Sequence, residues 1–207
     1  MKKLLFLFFC LFSLSLQAAR IILDPGHGGK DEGARIGNVF EKKLTLRTAY
    51  LVKKELEALG HTVVLTRARD LYISLASRTE VASRRSGDLF VSLHYNSSKS
   101  GDAHGLEIYY YGKGDAARIE LSRCLATTLI RTITGTTFCH SRGVKRGNFH
   151  VIRETTKMPA VLIEGGFLTN SKERTLLTTP AYLEKFARAV AEGVDEFVLK
   201  KFVLGAS

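Results

Sequence analysis

The sequence predicts a layered α/β domain built on a mainly parallel sheet. Short apolar runs at Ile21–Leu23, Leu89–Val91 and Ala160–Ile163 carry no charge, as strands buried on both faces do. Amphipathic stretches long enough for helices separate these runs, so strands and helices alternate as in βαβ units. The chain has 207 residues, 45% hydrophobic and 25% charged, which suffices for one sizeable core and excludes a disordered or low-complexity chain. No internal repeat and no Ser/Pro/Gly-rich linker interrupts it, so a single domain is expected.

The elements follow in order. Residues 20–24 form an apolar run that breaks at Pro25-Gly26, a strand entering a turn. Residues 41–59 carry a helical stripe of Leu44, Thr48, Val52, Leu56 and Leu59, closed by Gly60. Thr62 to Thr66 is β-branched and reads as the second strand, and Ser74 to Arg85 as the second helix. Residues 88–94 and 106–111 give the third and fourth strands, and residues 115–130 a third helix. After Pro159, Ala160 to Glu164 is a fifth strand ended by Gly165-Gly166. Thr179 caps a last helix with Pro180 at its first position and Leu183, Phe186, Val190, Val194 and Phe197 on one side.

Residues 1–19 read differently. Lys2 and Lys3 precede the uncharged run Leu4 to Leu16, and Gln17-Ala18-Ala19 ends in small residues, the pattern of a cleaved secretory signal. The run is too short for an ordinary membrane span of about 20 residues. The protein is therefore expected to be exported, periplasmic or wall-associated, with cleavage after Ala18 or Ala19 and no stable membrane span after processing. Removal of residues 1–19 takes away two lysines and no acid, lowering the formal charge from +11 to +9. Such a protein is drawn to anionic wall polymer or lipid, and export argues against nucleic acid as a partner. Cys124 and Cys139 remain, fifteen positions apart, and both a disulfide and a pair of buried thiols are open to them.

Polar residues gather where the strands end, the usual ligand edge of an open α/β sheet. The first strand leads into Asp24-Pro25-Gly26-His27-Gly28-Gly29, the third into His94-Tyr95-Asn96, and the fifth into Glu164-Gly165-Gly166. The glycine turn matches neither GxGxxG nor GxxxxGK[ST], and Asp31 and Glu32 would repel phosphate, so it is not a nucleotide loop. Of the six histidines, only His27 and His94 directly follow apolar strands. His61 is expected on the surface at the opposite edge, His104 in a flexible loop, and His140 and His150 in an irregular segment, either near substrate. Glu41 lies eleven residues before Val52, which places it within about 20° of the buried helical stripe. It is then either a capping-box acid paired with Asn38 or a third ligand beside His27 and His94. Two histidines and a glutamate form a catalytic zinc triad with one position left for water. Glu164 is open to two roles, a fourth ligand or the base that takes a proton from water.

Taken together, these pieces resemble the zinc-dependent N-acetylmuramoyl-L-alanine amidases of bacterial cell separation and wall turnover. The resemblance rests on Leu23-Asp24-Pro25-Gly26-His27-Gly28-Gly29, Glu41, Thr66-Arg67, Ser92-Leu93-His94-Tyr95-Asn96, Gly105-Leu106-Glu107 and Val161 to Asn170, in the family's order. It implies a six-stranded, mostly parallel sheet flanked by helices, a catalytic domain over residues 20–207, and one zinc held by His27, Glu41 and His94. It also implies Glu164 as the catalytic acid–base. Asn96 matches a polar residue beside the metal histidine. Glu107 and His150 are carried as candidates for substrate contact or support of the site. The implied substrate is peptidoglycan, cut at the amide between the lactyl group of N-acetylmuramic acid and L-alanine, by an enzyme acting as a monomer. Only 111–114 separate the fourth strand from the third helix, so the inhibitory helix of activator-controlled members is not expected, nor is a separate wall-targeting domain. A zinc peptidase cutting within the stem peptide and a non-catalytic wall-binding module are the competing readings.

Overall fold

The computed structural model describes residues 18–204, and the charged start and apolar run of the signal lie outside the described residues. The elements are β1 (Arg20–Pro25), β2 (Arg35–Ile36), β3 (Val39–Phe40), α1 (Glu41–Ala58), β4 (Thr62–Leu65), α2 (Leu75–Arg84) and β5 (Leu89–Asn96). They continue as β6 (Leu106–Tyr110), α3 (Ala116–Thr137), β7 (Ser141–Arg146), α4 (His150–Glu154), β8 (Ala160–Phe167), α5 (Ser171–Thr178) and α6 (Pro180–Leu204). Six strands form one sheet in the order β4-β1-β5-β8-β6-β7, and β2 with β3 makes a separate two-stranded ribbon. Every pairing in the large sheet is parallel except β6 with β8. The expected single α/β domain with a mostly parallel, six-stranded sheet is what forms.

The sheet is covered on both faces, which explains its unbroken apolar strands. Ile21, Leu23, Val91, Val161 and Ile163 point into the larger core beneath α1, α3 and α6. Their neighbours Ile22, Phe90, Ala160 and Leu162 point the other way, into a smaller core with Ala82 of α2 and Val151 and Ile152 of α4. The α6 stripe Leu183, Phe186, Val190, Val194 and Phe197 is buried along its length. From β1 the chain goes first to β4 on one side and then to β5 on the other, so the order of strand addition reverses and a crevice opens at the carboxyl ends of β1 and β5. Among the described residues, no helix is long and apolar enough to cross a membrane.

Several expectations are corrected. Helix α3 runs on to Thr137 through a β-branched, glycine-containing end. Thr134 and Thr137 hydroxyls donate to the carbonyls of Ile130 and Ile133 at 2.7 Å, and Ile133 is buried, so packing overrides weak propensity. Strand β8 does not end at Gly165-Gly166 but continues to Phe167 after a register shift opposite β5. Strand β7, the β2–β3 ribbon and helices α4 and α5 lie where the sequence shows no clear period. Cys124 and Cys139 are free thiols, half-buried against the larger core, and no disulfide joins them.

His61 is not a surface residue. It is 5% exposed. Its Nδ1 accepts the Ala19 backbone N–H at 3.2 Å, and its Nε2 lies 3.1 Å from Asp195 Oδ1 on α6. The imidazole thus ties the start of β1 to the last helix, and Ala19 itself is buried, its carbonyl accepting from Thr62. His61→Ala should lower unfolding free energy by about 1–3 kcal/mol through the unsatisfied partners it leaves. Urea unfolding measures that loss, and metal content should not change, because His61 lies at the far end of β1 from His27.

Candidate metal centre

The crevice begins with an unusual turn. At its end β1 passes through Asp24 and Pro25, and the backbone then leaves the strand at Gly26 to reach His27, whose φ of 59° is left-handed for a residue with a side chain. Such a conformation costs on the order of 1 kcal/mol and persists only where its surroundings impose it. Two buried arginines do so. Arg67 donates from Nε to the Pro25 carbonyl at 2.9 Å and from Nη2 to the carbonyls of Gly26 and Lys42, each at 2.8 Å. Arg78 donates to the carbonyls of Pro25 at 2.7 Å and His27 at 2.6 Å, and to Asp24 Oδ1 at 2.7 Å. Asp24 is fully buried and also accepts from Thr66 at 2.5 Å and Ser92 at 2.7 Å. Burial alone would raise its pKa, but Arg78 and the hydroxyls hold it below the ordinary value.

The side chains meet just beyond this turn. Glu41 is the first residue of α1, whose N-cap is Phe40, so the capping box with Asn38 does not form. Its carboxylate turns inward and is 4% exposed as a residue. Glu41 Oε1 lies 3.0 Å from His27 Nε2 and 3.0 Å from His94 Nδ1, and accepts the Tyr95 N–H at 3.0 Å. Its Oε2 accepts the Ala34 N–H at 2.8 Å. The two imidazoles stand edge to face, 4.8 Å between centroids. One donor atom from each of His27, Glu41 and His94 lies within 4.8 Å of the other two. Glycine makes this approach feasible at two places. A Cβ on Gly26 would sit 2.3 Å from His94 Cε1, and one on Gly33 would sit 2.5 Å from Glu41 Oε2.

This donor set fits a divalent cation. A tetrahedral ion with bonds near 2.1 Å separates its ligand atoms by about 3.4 Å, between the 3.0 Å contacts of Glu41 with each histidine and the 4.8 Å that bounds the whole set. His27 Nδ1 lies 2.9 Å from Asp31 Oδ1, so its proton has a carboxylate to rest on and Nε2 is left to face the cluster. Burial works against ionising both Glu41 and His27, but their mutual contacts win: Glu41 is held well below the carboxylate range and His27 above the usual imidazole value.

Glu164 stands next to the triad. It pairs with His94 across β5–β8 and with Glu107 across β8–β6. Its Oε2 is buried and has no hydrogen-bond partner among the described residues. Burial, then the negative charges of Glu41 and Glu107, push its pKa well above the ordinary value. The glycines after it leave no open space: a Cβ on Gly165 would meet the Tyr95 ring at 2.9 Å, and that ring is fixed by a 2.6 Å contact between Tyr95 and Thr48 hydroxyls.

Glu107, like Glu41, has four polar partners. Its Oε1 accepts from Arg142 at 2.5 Å and Lys145 at 2.6 Å, and its Oε2 from Tyr109 at 2.6 Å and Asn96 at 3.2 Å. Burial opposes its charge, but Lys145, Tyr109 and Arg142 bring its pKa down to about 2. Asn96 thus binds Glu107. His150, at the start of α4, lines a cleft of about 360 Å³ together with His27, His94, Tyr72, Leu75 and Phe149. His104 and His140 stack on each other at 5.1 Å in exposed positions outside that cleft. The sequence reading missed Asp31, Arg78 and the Arg142–Lys145 pair. Asp31 lies four residues from His27, and Arg78 shares a helical face with Leu75 and Ala82. Those spacings were legible signals.

Arg78→Leu should destabilise the fold by about 3–5 kcal/mol, because Asp24 keeps a buried charge without its cation. The depressed Asp24 pKa contributes stability above its ordinary value of 3.8, lost as pH falls further. Acid unfolding of wild type should show this loss, and Arg78→Leu should flatten it.

A family model for N-acetylmuramoyl-L-alanine amidases matches residues 21–196. The probable cell wall amidase LytH of Staphylococcus aureus is 35% identical over 182 residues, covering 86% of this chain but 58% of LytH, so the chain spans little more than half of that relative. The catalytic domain of CwlV, an N-acetylmuramoyl-L-alanine amidase from Bacillus (Paenibacillus) polymyxa var. colistinus, superposes with a TM-score of 0.80 at 38% identity over 87% of this chain and 98% of that one. An N-acetylmuramoyl-L-alanine amidase from Clostridium difficile 630 gives 0.81 at 35% identity, over 90% and 97% of the two chains.

Proposed function

The chain belongs to the N-acetylmuramoyl-L-alanine amidase family, and from that premise we propose that it is a zinc hydrolase of peptidoglycan. The bond cut is the amide between the lactyl group of N-acetylmuramic acid and the L-alanine of the stem peptide. The observation that carries this reading is the convergence of His27, Glu41 and His94 beside a buried carboxyl oxygen on Glu164 that has no hydrogen-bond partner among the described residues. Two imidazoles and one carboxylate suit zinc in a catalytic setting, with a position left open. Zinc bound there would polarise the scissile carbonyl and make water a stronger acid.

The remaining chemistry belongs to the chain. Glu164, in its ionised form, takes the proton of the attacking water, because burial and then the charges of Glu41 and Glu107 raise its affinity for a proton. It then delivers that proton to the L-alanine nitrogen, which is too basic to leave as an anion. Glu41 stays ionised between its two histidines, and Asp31 fixes the His27 ring. Residues 1–19 are proposed to direct export to the periplasm or wall. Cleavage after Ala18 would keep the buried Ala19 in place. The +9 charge of the trimmed chain supplies attraction to anionic wall or membrane, which should fade as added salt shortens the Debye length from about 10 Å toward 3 Å.

Digestion of purified peptidoglycan by the zinc-loaded protein, followed by product masses, tests the reaction. Intact stem peptides freed from sugar are expected, whereas shortened stems would indicate a peptidase, and no product with zinc bound a wall-binding module. Glu164→Gln should retain zinc while turnover falls roughly 10²–10⁴-fold, measured on one sample. Zinc lost together with activity would place Glu164 among the ligands. His27→Ala should lose most of its zinc by elemental analysis, and full occupancy in that variant would exclude the triad. The purified protein should act without an added activator, and a strict requirement for one would refute this.

A further inference from the structure

Glu107 gathers two cations where one would neutralise it. Arg142 and Lys145 both donate to the same oxygen, Oε1, so the group carries a surplus positive charge. Glu107 is buried, while the side chains of Arg142 and Lys145 keep 36% and 37% of their surface exposed. Their solvent-facing donors are held in place by a fixed acid and, for Arg142, by the Phe167 ring 5.1 Å from its guanidinium carbon. Glu107 lies on β6, the strand next to Glu164 and two strands from His94, and Arg142 and Lys145 reach it from the edge strand β7.

We propose that Lys145 and Arg142 form a carboxylate-binding subsite for the stem peptide, on the amine side of the scissile amide. This rests on the amidase reading above. The chemistry of the substrate sets the direction. The lactyl carboxyl is consumed in the amide, so the sugar side brings no charge near the bond. The peptide side does: its second residue is a glutamate joined through its side chain, with a free α-carboxylate, and a carboxylate follows on the third in many walls. Extended peptide advances about 3.4 Å per residue and strands lie about 4.8 Å apart, so a carboxylate two or three residues along spans roughly the two strands from His94 to Glu107. The cleft beside His27 and His94 does not include this cluster, and its exposed Tyr72 and Leu75 side chains offer an apolar surface suited to the neutral sugar.

The experiment compares muramyl tripeptides carrying a carboxylate or a carboxamide on the second residue, with wild type, Lys145→Gln, Arg142→Gln and Lys145→Arg. Wild type should prefer the carboxylate, mainly through KM. Lys145→Gln should raise KM for the carboxylate about tenfold and leave the carboxamide within twofold, the scale of one charge-assisted contact. Arg142→Gln should act likewise, and Lys145→Arg should keep the preference. Calorimetry of the released tripeptide on the same proteins should show the same ratio, weakening with salt. A preference that follows the third-residue carboxylate in tripeptide against dipeptide also supports the subsite. Equal loss of kcat on both substrates, or unchanged KM and peptide affinity in Lys145→Gln and Arg142→Gln, would overturn it. Absence of intact stem peptide from any wild-type digest would instead overturn the amidase reading, and the calorimetry then decides the subsite alone.

Discussion

The site depends on backbone carbonyls held by buried guanidinium groups. Beyond β1 the chain leaves the sheet before any helix receives it, and the carbonyls of Pro25, Gly26 and His27 have no strand to pair with. Arg67 binds the carbonyls of Pro25 and Gly26 and also that of Lys42 on α1, while Arg78 of α2 binds those of Pro25 and His27. Arginine suits this task because its planar fork offers several donors in fixed directions and stays charged when desolvated. The desolvation of two cations is offset by the buried Asp24 carboxylate and by the neutral acceptors around them. The left-handed backbone of His27 is stable for this reason, and the direction of its ring follows.

The rest of the cluster is organised by sharing. One oxygen of Glu41 serves both imidazoles and a backbone amide, and one oxygen of Glu107 serves both of its cations. Glu164 lies between these two acids and has a carboxyl oxygen with no partner among the described residues. The rim thus holds three carboxylates in a row with different surroundings. Two are kept charged by close donors, and the third is pushed toward its acid form. Such divergence between neighbouring acids is how a site divides roles among identical groups.

Much of this was legible in the sequence. The strands came from charge-free runs, and α1 and α6 from stripes whose members are buried. His27, Glu41, His94 and Glu164 stood out because each is polar at the end or edge of an apolar element. What escaped notice lacked a period. Ser141 to Arg146 is polar and becomes a strand by pairing along β6, from Leu106 with Ser141 to Tyr110 with Arg146. His61 looked like a loop histidine, yet its neighbours Ala19 and Asp195 are distant in sequence. The roles of Arg142 and Lys145 depend on β6 pairing antiparallel with β8, a direction that composition does not reveal.

That reversal of β6 also governs where chain can be added to cover the cleft. Because β6 starts at the rim and runs away from it, the connection at 111–115 lies at the opposite end of the sheet from His94. A segment inserted there must climb the length of a five-residue strand, about 17 Å, before reaching the histidines. The connection at 97–105 already sits at the rim, and a much shorter insertion would reach them. Strand polarity therefore sets how much extra chain a relative of this protein needs in order to silence itself.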